Sequence, residues 1–438
     1  MVKVTSRRRS LGSLGVVLVG LEGCGLVVGL GDPKGLGDPA EGGVSMNQET
    51  PQVQATRVAV GTSHACAVVN LGEGNPENGS VRCWGSNKSG QLGTDPAALP
   101  FTDRPLEVSG FPTDFTGASE LALSVGDSCA ISVDGYLFCW GGVPDEVGSG
   151  IHRQYPVPAY QPSVIELDTT AMQPVTSAAL DASGGCIIAN QVLVCWGALA
   201  PYSGRDGGVD GGAAISDPGF ALVAVGGANA CAVASDDGAN DIECWGNDTY
   251  GQSGGGVGGS LPDPSPIGLS GDVRQLAAGA SFACALLGDG SVSCWGDNDR
   301  GQLGPDGPAG STATPVPIPF PGGLKALALA VGDQHACAVV DDSTSTFQNV
   351  DCWGDNSTGQ LGVGPSGPTQ SATALEVQRL SDGGTEALPH IERIAAGGGT
   401  TCVVRSTDAL VSCWGANEYG QAGQPASARV DYATPVQW

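Results

Sequence analysis

The tripeptide Cys-Trp-Gly occurs seven times in this chain, beginning at Cys83, Cys139, Cys195, Cys244, Cys294, Cys352 and Cys413. In several copies a polar turn and Gly-Gln-Leu-Gly follow, as in Gly296-Asp297-Asn298-Asp299-Arg300-Gly301-Gln302-Leu303-Gly304. A recurrence of about 50 residues marks a repeat architecture, in which each unit buries its apolar face only against a neighbour. The 438 residues therefore divide into a leader over 1–23, a tether over 24–53 and one seven-repeat domain over 54–438, rather than into two or three unrelated domains.

Within a unit the apolar residues alternate. The first has Arg57-Val58-Ala59-Val60-Gly61, then His64-Ala65-Cys66-Ala67-Val68, then Ser80-Val81-Arg82-Cys83-Trp84-Gly85. A fourth short run is led by proline, Pro105-Leu106-Glu107-Val108, with counterparts at Pro162, Pro315 and Pro435. Period-two alternation in short runs separated by Gly-rich turns specifies strands. Proline is tolerated where a strand begins or lies at an edge. Four antiparallel strands repeated seven times predict an all-β, seven-bladed β-propeller. Closing the ring brings the ends together. The segment Thr50-Pro51-Gln52-Val53-Gln54 is similar to Thr434-Pro435-Val436-Gln437-Trp438, and the carboxyl end is expected in the last outer strand.

At Gly61–Gly93, Ala278–Gly304, Val331–Gly362 and Ala396–Gly423 the chain resembles the regulator of chromosome condensation repeat family. The shared features are a Gly-x-x-His-type entry, a strand ending in Trp-Gly, and Asn-x-x-Gly-Gln-Leu-Gly. The resemblance implies the same seven-bladed fold. The family includes an exchange factor for a small GTPase, chromatin-associated proteins and a secreted inhibitor of β-lactamase. Because function resides in loops grafted on the blades, the resemblance implies fold more than activity.

Each unit carries two cysteines flanking its central hairpin: Cys66 and Cys83, Cys129 and Cys139, Cys186 and Cys195, Cys231 and Cys244, Cys284 and Cys294, Cys337 and Cys352, Cys402 and Cys413. Three-residue turns in the second and fifth units, Val133-Asp134-Gly135 and Gly288-Asp289-Gly290, put those pairs directly opposite. Elsewhere the spacing needs an even-numbered loop or a bulge. Strict pairing in an exported chain predicts seven disulfides, the alternative being buried free thiols. Two thiols without a regular histidine partner do not make a zinc site, and no metal or cofactor is expected.

The fifteenth cysteine, Cys24, follows a basic start (Lys3, Arg7, Arg8, Arg9) and the apolar run Leu11–Leu21. This is the form of an export signal, too short to span a bilayer. Leu21-Glu22-Gly23-Cys24 resembles the lipobox of bacterial lipoproteins, which implies lipidation at Cys24. Glu22 stands where that pattern has a small residue, which leaves ordinary signal cleavage open. The Gly/Pro-rich stretch that follows reads as a tether. With 18 basic and 45 acidic residues, the net charge of −27 repels phosphate backbones and excludes nucleic acid as a partner.

Few residues have the chemistry of a site. His64 and His335 occupy one repeat position and are expected to make structural hydrogen bonds; His152 and His390 lie in loops. Asn87, Asn298, Asn356 and Asn417 begin the polar turn and are expected to bond its backbone. Asp297-Asn298-Asp299 lacks the spacing and closing Glu of a calcium loop. No nucleophile, carboxylate pair or phosphate loop stands out. The second and third units depart from the pattern after Trp140 and Trp196. His152, Arg153, Tyr155 and Tyr160 fall in one loop, Tyr202 and Arg205 in the other. Tyrosine and arginine are the residue types of binding hot spots, so these six are the candidate contact residues.

The expectation is a non-enzymatic, monomeric propeller on the cell envelope or secreted, binding a protein or an extracellular ligand, with the membrane reached only through a lipid anchor. A structural surface module is the alternative. Guanine-nucleotide exchange and hydrolysis are both disfavoured.

Overall fold

Each Cys-Trp-Gly ends the third strand of an antiparallel meander. In the first blade the strands are Gln54–Val60, His64–Asn70, Ser80–Ser86 and Phe101–Glu107, hydrogen-bonded in that order. The computed structural model describes residues 53–438 except 72–78, 114, 143–145, 149–150, 154–157, 168–173, 200–211, 216–218, 237–238, 270 and 342–347. The same order recurs in seven sheets. The later innermost strands are Ala118–Leu123, Val175–Asp181, Phe220–Gly226, Val273–Ala278, Lys325–Val331 and Ile391–Gly397. This is the seven-bladed all-β propeller that the repeats predict. Cys24 and the tether up to residue 52 lie outside the described residues.

The core is divided among the blade interfaces. One cluster joins Trp84, Ala55 and Val60 of the first blade to Cys402, Val404 and Val411 of the seventh. Another joins Trp353, Leu329 and Val331 of the sixth to Phe282, Leu286 and Val292 of the fifth. A blade's two faces are thus both apolar, which is why the second strand is buried almost throughout. The closing strand of the last blade is Arg429–Pro435, so the carboxyl end does take the outer position.

Cysteines of a pair face each other across the second and third strands in all seven blades, with Cα atoms 4.0–4.1 Å apart, and the structure joins them as disulfides. The register between these strands is unbroken. Even-numbered loops therefore settle the odd spacings. In the third blade Ala189 pairs with Val192, and Asn190 and Gln191 turn between them with φ of 50° and 67°, a type I′ geometry.

Three features differ from the expected pattern. The outer strands of the first and fifth blades start before their proline, at Phe101 and Thr312. Register jumps where they pass the tryptophan, so that 103–105 and 313–315 bulge opposite Trp84 and Trp295. Pro105 and Pro315 end those bulges, where no ladder bond is lost. In the last blade Pro435 ends the outer strand rather than leading it. Finally, two blades carry an added hairpin. Glu146–Gly148 and Ile151–Arg153 extend the second blade outward from Ser163–Leu167. Gln378–Ser381 and Gly384–Ala387 extend the seventh, with Arg379 pairing parallel to Ala433.

Candidate interaction face and axial cavity

Six of the seven tryptophans tie one blade to the one before it. Trp84, Trp140, Trp295, Trp353 and Trp414 donate their indole N–H to the backbone carbonyls of Gln421, Gln91, Gln252, Gln302 and Gln360 at 2.9–3.0 Å. Trp245 donates to Leu199 at 2.9 Å, a backbone acceptor where the third blade has no Gly-Gln-Leu-Gly. The glycine after each tryptophan has positive φ, and at Gly85 a Cβ would come within 2.6 Å of the Ser63 carbonyl. Only glycine fits that approach.

The turns that supply these carbonyls are held by their own side chains. Asn87, Asn298, Asn356 and Asn417 accept from the backbone N–H of Leu92, Leu303, Leu361 and Ala422 at 2.9–3.0 Å, as their position predicts. Gln91, Gln302, Gln360 and Gln421 accept from the N–H two residues earlier. In the fourth blade Asp248 and Gln252 do the same. These five turns are committed to the fold.

The histidines join the same lattice. Ser128 donates to the Gln91 carbonyl at 2.9 Å, so the 2.9 Å contact between Ser128 Oγ and His64 Nε2 has histidine as donor. His64 Nδ1 then faces no partner. Protonating it would place an unmatched charge in the core, and burial holds its pKa down at about 3. His335 meets Thr401 of the next blade at 2.8 Å. Burial lowers its pKa to about 4, against the opposing influence of Asp355. Both are structural, as expected. The signal for their partners was present: Ser128 and Thr401 replace an alanine or glycine found one residue before the first cysteine in the other blades.

Where the blades converge, the ends of the innermost strands enclose a cavity of about 300 Å³ lined from all seven blades. The wall is mostly glycine and small apolar side chains, and its ionisable groups are Asp181 and Asp333. Asp181 is fixed by N–H groups of Ser183, Gly184 and, from the next blade, Ala228. The Asp333 side chain is accessible, yet the surrounding walls strip enough water to raise its pKa. Neither residue is marked by a motif. The signal was their acidity at positions where other blades have Gly61, Gly226, Ala280 or Gly398.

The loops after Trp-Gly rise beside this cavity, because their first N–H bonds a carbonyl of the turn at its rim. Examples are Ser86 to Ser63, Gly142 to Gly126 and Ala198 to Ser183 at 2.8–2.9 Å. The loops of the second and third blades therefore leave from the cavity's face at Gly142 and Ala198. In the second, His152 and Arg153 lie on the strand Ile151–Arg153. Tyr160 is half-buried, and the space beside Gly90 of the first blade is filled by its Cα and Cβ. Tyr155, Tyr202 and Arg205 lie outside the described residues. Trp196 differs: among the described residues its indole finds no carbonyl, and it is 8% exposed where the other six are at most 1%.

Fold and lattice define a disulfide-stapled seven-bladed propeller. The Regulator of chromosome condensation (RCC1) repeat matches residues 273–302, 327–360 and 391–421, and a second form of it matches 289–339. With the seven-bladed fold, these matches support the RCC1-repeat propeller family. It is similar to the ultraviolet-B receptor UVR8 of Arabidopsis thaliana, 32% identical over 187 residues, 42% of this chain and 39% of the receptor. To the human E3 ubiquitin-protein ligase HERC2 it is 30% identical over 261 residues, 56% of this chain and 5% of the ligase. It thus spans well under half the length of either relative. Among solved structures, Prp20p of Saccharomyces cerevisiae superposes with a TM-score of 0.65 at 17% identity, covering 89% of this chain and 88% of that one. Human WBSCR16 gives 0.65 at 19%, covering 81% and 94%.

Proposed function

We propose that this chain is a non-enzymatic binding propeller that takes a protein partner on the face carrying the loops of the second and third blades. The observation that carries the reading is the division of labour among those loops. Five are consumed by the fold, their Asn or Asp and Gln side chains holding the backbone and their carbonyls holding the next tryptophan. The second and third blades have dropped that text for Arg153, Tyr155, Tyr202 and Arg205, side chains suited to contact energy. Prp20, a propeller of this fold, has been crystallised with Kap60 and is described as binding Gsp1p and histones. Here the net charge of −27 favours a partner with a basic surface.

Seven disulfides suit an oxidising, extracytoplasmic compartment. On this reading residues 1–23 direct export, Cys24 carries a lipid anchor and 24–53 tether the propeller to the envelope. The test is a crosslinked pull-down from intact cells with the exported chain as bait. The comparison is a variant with Arg153, Tyr155, Tyr202 and Arg205 changed to Ala; Tyr160 is kept because it packs on Gly90. A partner captured by the native chain and lost from the variant supports the reading. A partner held equally by both rejects these loops as its site.

A further inference from the structure

We infer that the axial cavity is a socket for one cationic side chain, arginine in preference to lysine, projecting from the protein that docks on the loop face. This deepens the binding reading above and rests on it for the source of the side chain. The cavity is built by every blade, at about 300 Å³, and so is as rigid as the ring itself. Its two ionisable groups share one sign but are not neighbours. Asp181 belongs to the third blade and Asp333 to the sixth, three blades apart in a ring of seven, so they face the axis from opposite sides.

Asp181 is preorganised. Its Oδ1 accepts from Ser183 and Gly184 at 2.6 and 3.1 Å and its Oδ2 from Ala228 at 2.8 Å. Each carboxylate oxygen accepts more than one hydrogen bond, so acceptor capacity remains for a ligand. Asp333 has its backbone pinned at both ends, its N–H to Gly398 and its carbonyl to Ala280. Its carboxylate is left accessible in a concave wall without a basic residue.

A cation entering here gains two carboxylates in a setting where water screens them poorly. A planar guanidinium offers donors in several directions and is more weakly hydrated than an ammonium, which favours arginine between two separated acceptors. A calcium ion takes roughly six to eight oxygens at once, more than two carboxylates on opposite walls supply. Gly142 and Ala198, where the loops of the second and third blades begin, bond carbonyls at this rim, so a partner seated on those loops can reach the axis.

The probe is Nα-acetyl-arginine amide, titrated against the full exported chain by ligand-observed NMR, with the citrulline analogue as a neutral isostere. We expect saturable binding at about millimolar concentration, weakened by salt, and none for citrulline. Asp333→Asn should weaken it about tenfold, the effect of losing one charge-assisted hydrogen bond. Thr62→Lys, which places an ammonium in the wall at the position equivalent to Asp333, should abolish it. Circular dichroism and melting confirm that each variant is folded. Equal binding to native and Asp333→Asn chains, or equal binding of citrulline, overturns the socket. So does displacement of the probe by micromolar calcium, which would make the cavity a metal site. The titration needs no partner: a loop variant that still captures its partner rejects the loop reading alone. A partner indifferent to both Asp333→Asn and Thr62→Lys rejects the socket alone.

Discussion

The indole N–H of Trp84 donates to the carbonyl of Gln421 at 2.9 Å, although 337 residues of chain separate the two. The bond closes the ring. It has the same form as the bonds joining Trp140 to Gln91 and Trp353 to Gln302, so the seam between first and last blades is built like the interfaces inside the array. Among the described residues no strand is shared across it: the first blade's meander runs from Gln54–Val60 to Phe101–Glu107, and the last blade's from Ile391–Gly397 to Arg429–Pro435 with the added hairpin beyond. Closure therefore rests on side-chain packing, on this bond, on the Ala55 N–H donated to the Ala409 carbonyl at 2.9 Å and, at the surface, on Lys88 donating to the Tyr419 hydroxyl at 2.8 Å; the tryptophan bond, repeated around the ring, is the first thing to test.

Trp84→Phe keeps most of the apolar volume and removes the donor, leaving the Gln421 carbonyl without its indole partner inside the core. An orphaned buried acceptor costs about 1–3 kcal/mol. Trp353→Phe should cost a similar amount. Trp196→Phe, at the position whose indole finds no carbonyl among the described residues, should cost less. Midpoints of chemical denaturation for the three variants give the comparison, and an equal loss at Trp196 would show that volume rather than the bond matters.

The cysteines allow a direct count. Denatured but unreduced protein should expose at most one free thiol, Cys24 if unmodified, and reduction should release fourteen more from the seven pairs. Each bridge spans 9 to 17 residues, and constraint of so short a loop stabilises by about 2–4 kcal/mol in isolation. Replacing both Cys284 and Cys294 by Ala should lower the melting temperature without changing the β-sheet signal of the far-ultraviolet spectrum. A titration that finds about fourteen thiols before reduction contradicts the paired state.

Axial packing sets a steric limit. A Cβ on Gly397 would lie 2.2 Å from the Val60 carbonyl and 2.9 Å from that of Gly61, atoms of the blade on the far side of the ring seam. Neither is the end of a flexible side chain, so the strand must move. Gly397→Ala is expected to destabilise by about 1–3 kcal/mol. Gly383→Ala, in the tip of the added hairpin with nothing within 4 Å, should be near neutral by the same thermal melt.

Much of this was legible in the sequence because the fold repeats its text. The Cys-Trp-Gly copies gave the blade count and the cysteine pairs, and the Asn and Gln of the turns make the bonds their positions require. Other features left little trace. The hairpin of Gln378–Ser381 and Gly384–Ala387 has no apolar face, since Leu380 is 66% exposed and its ladder is polar; alternation of hydrophobicity could not reveal it. Leu199 replaces glutamine as acceptor for Trp245 through its backbone, and a backbone carbonyl has no residue type. The axial cavity gathers short segments from seven blades, so its two aspartates are distant in the chain and share one cavity only in the closed ring.

The buried histidines give the ring a predictable response to acid. His64 and His335 titrate at about 3 and about 4 in the folded chain, against 6.5 for an exposed imidazole. Between those values the unfolded chain binds protons that the folded chain refuses. Stability is therefore fully present above about pH 6.5 and falls as pH is lowered, by about 1.4 kcal/mol per pH unit for each histidine inside its window. Asp351 has the opposite sign. Burial, with Glu376 opposite it, raises its pKa from 3.8 to about 6, so the folded chain takes up that proton first and acidification from about pH 6 to 3.8 offsets part of one histidine. His64→Gln should flatten the fall in denaturation midpoint between pH 6.5 and 4.5, and the double variant with His335→Gln should flatten it further. Asp351→Asn should steepen it. Because Gln can still donate to Ser128, a loss of stability at pH 8 in His64→Gln measures packing, and the change in slope measures the proton. A slope left unchanged by both histidine variants would show that neither carries the acid sensitivity.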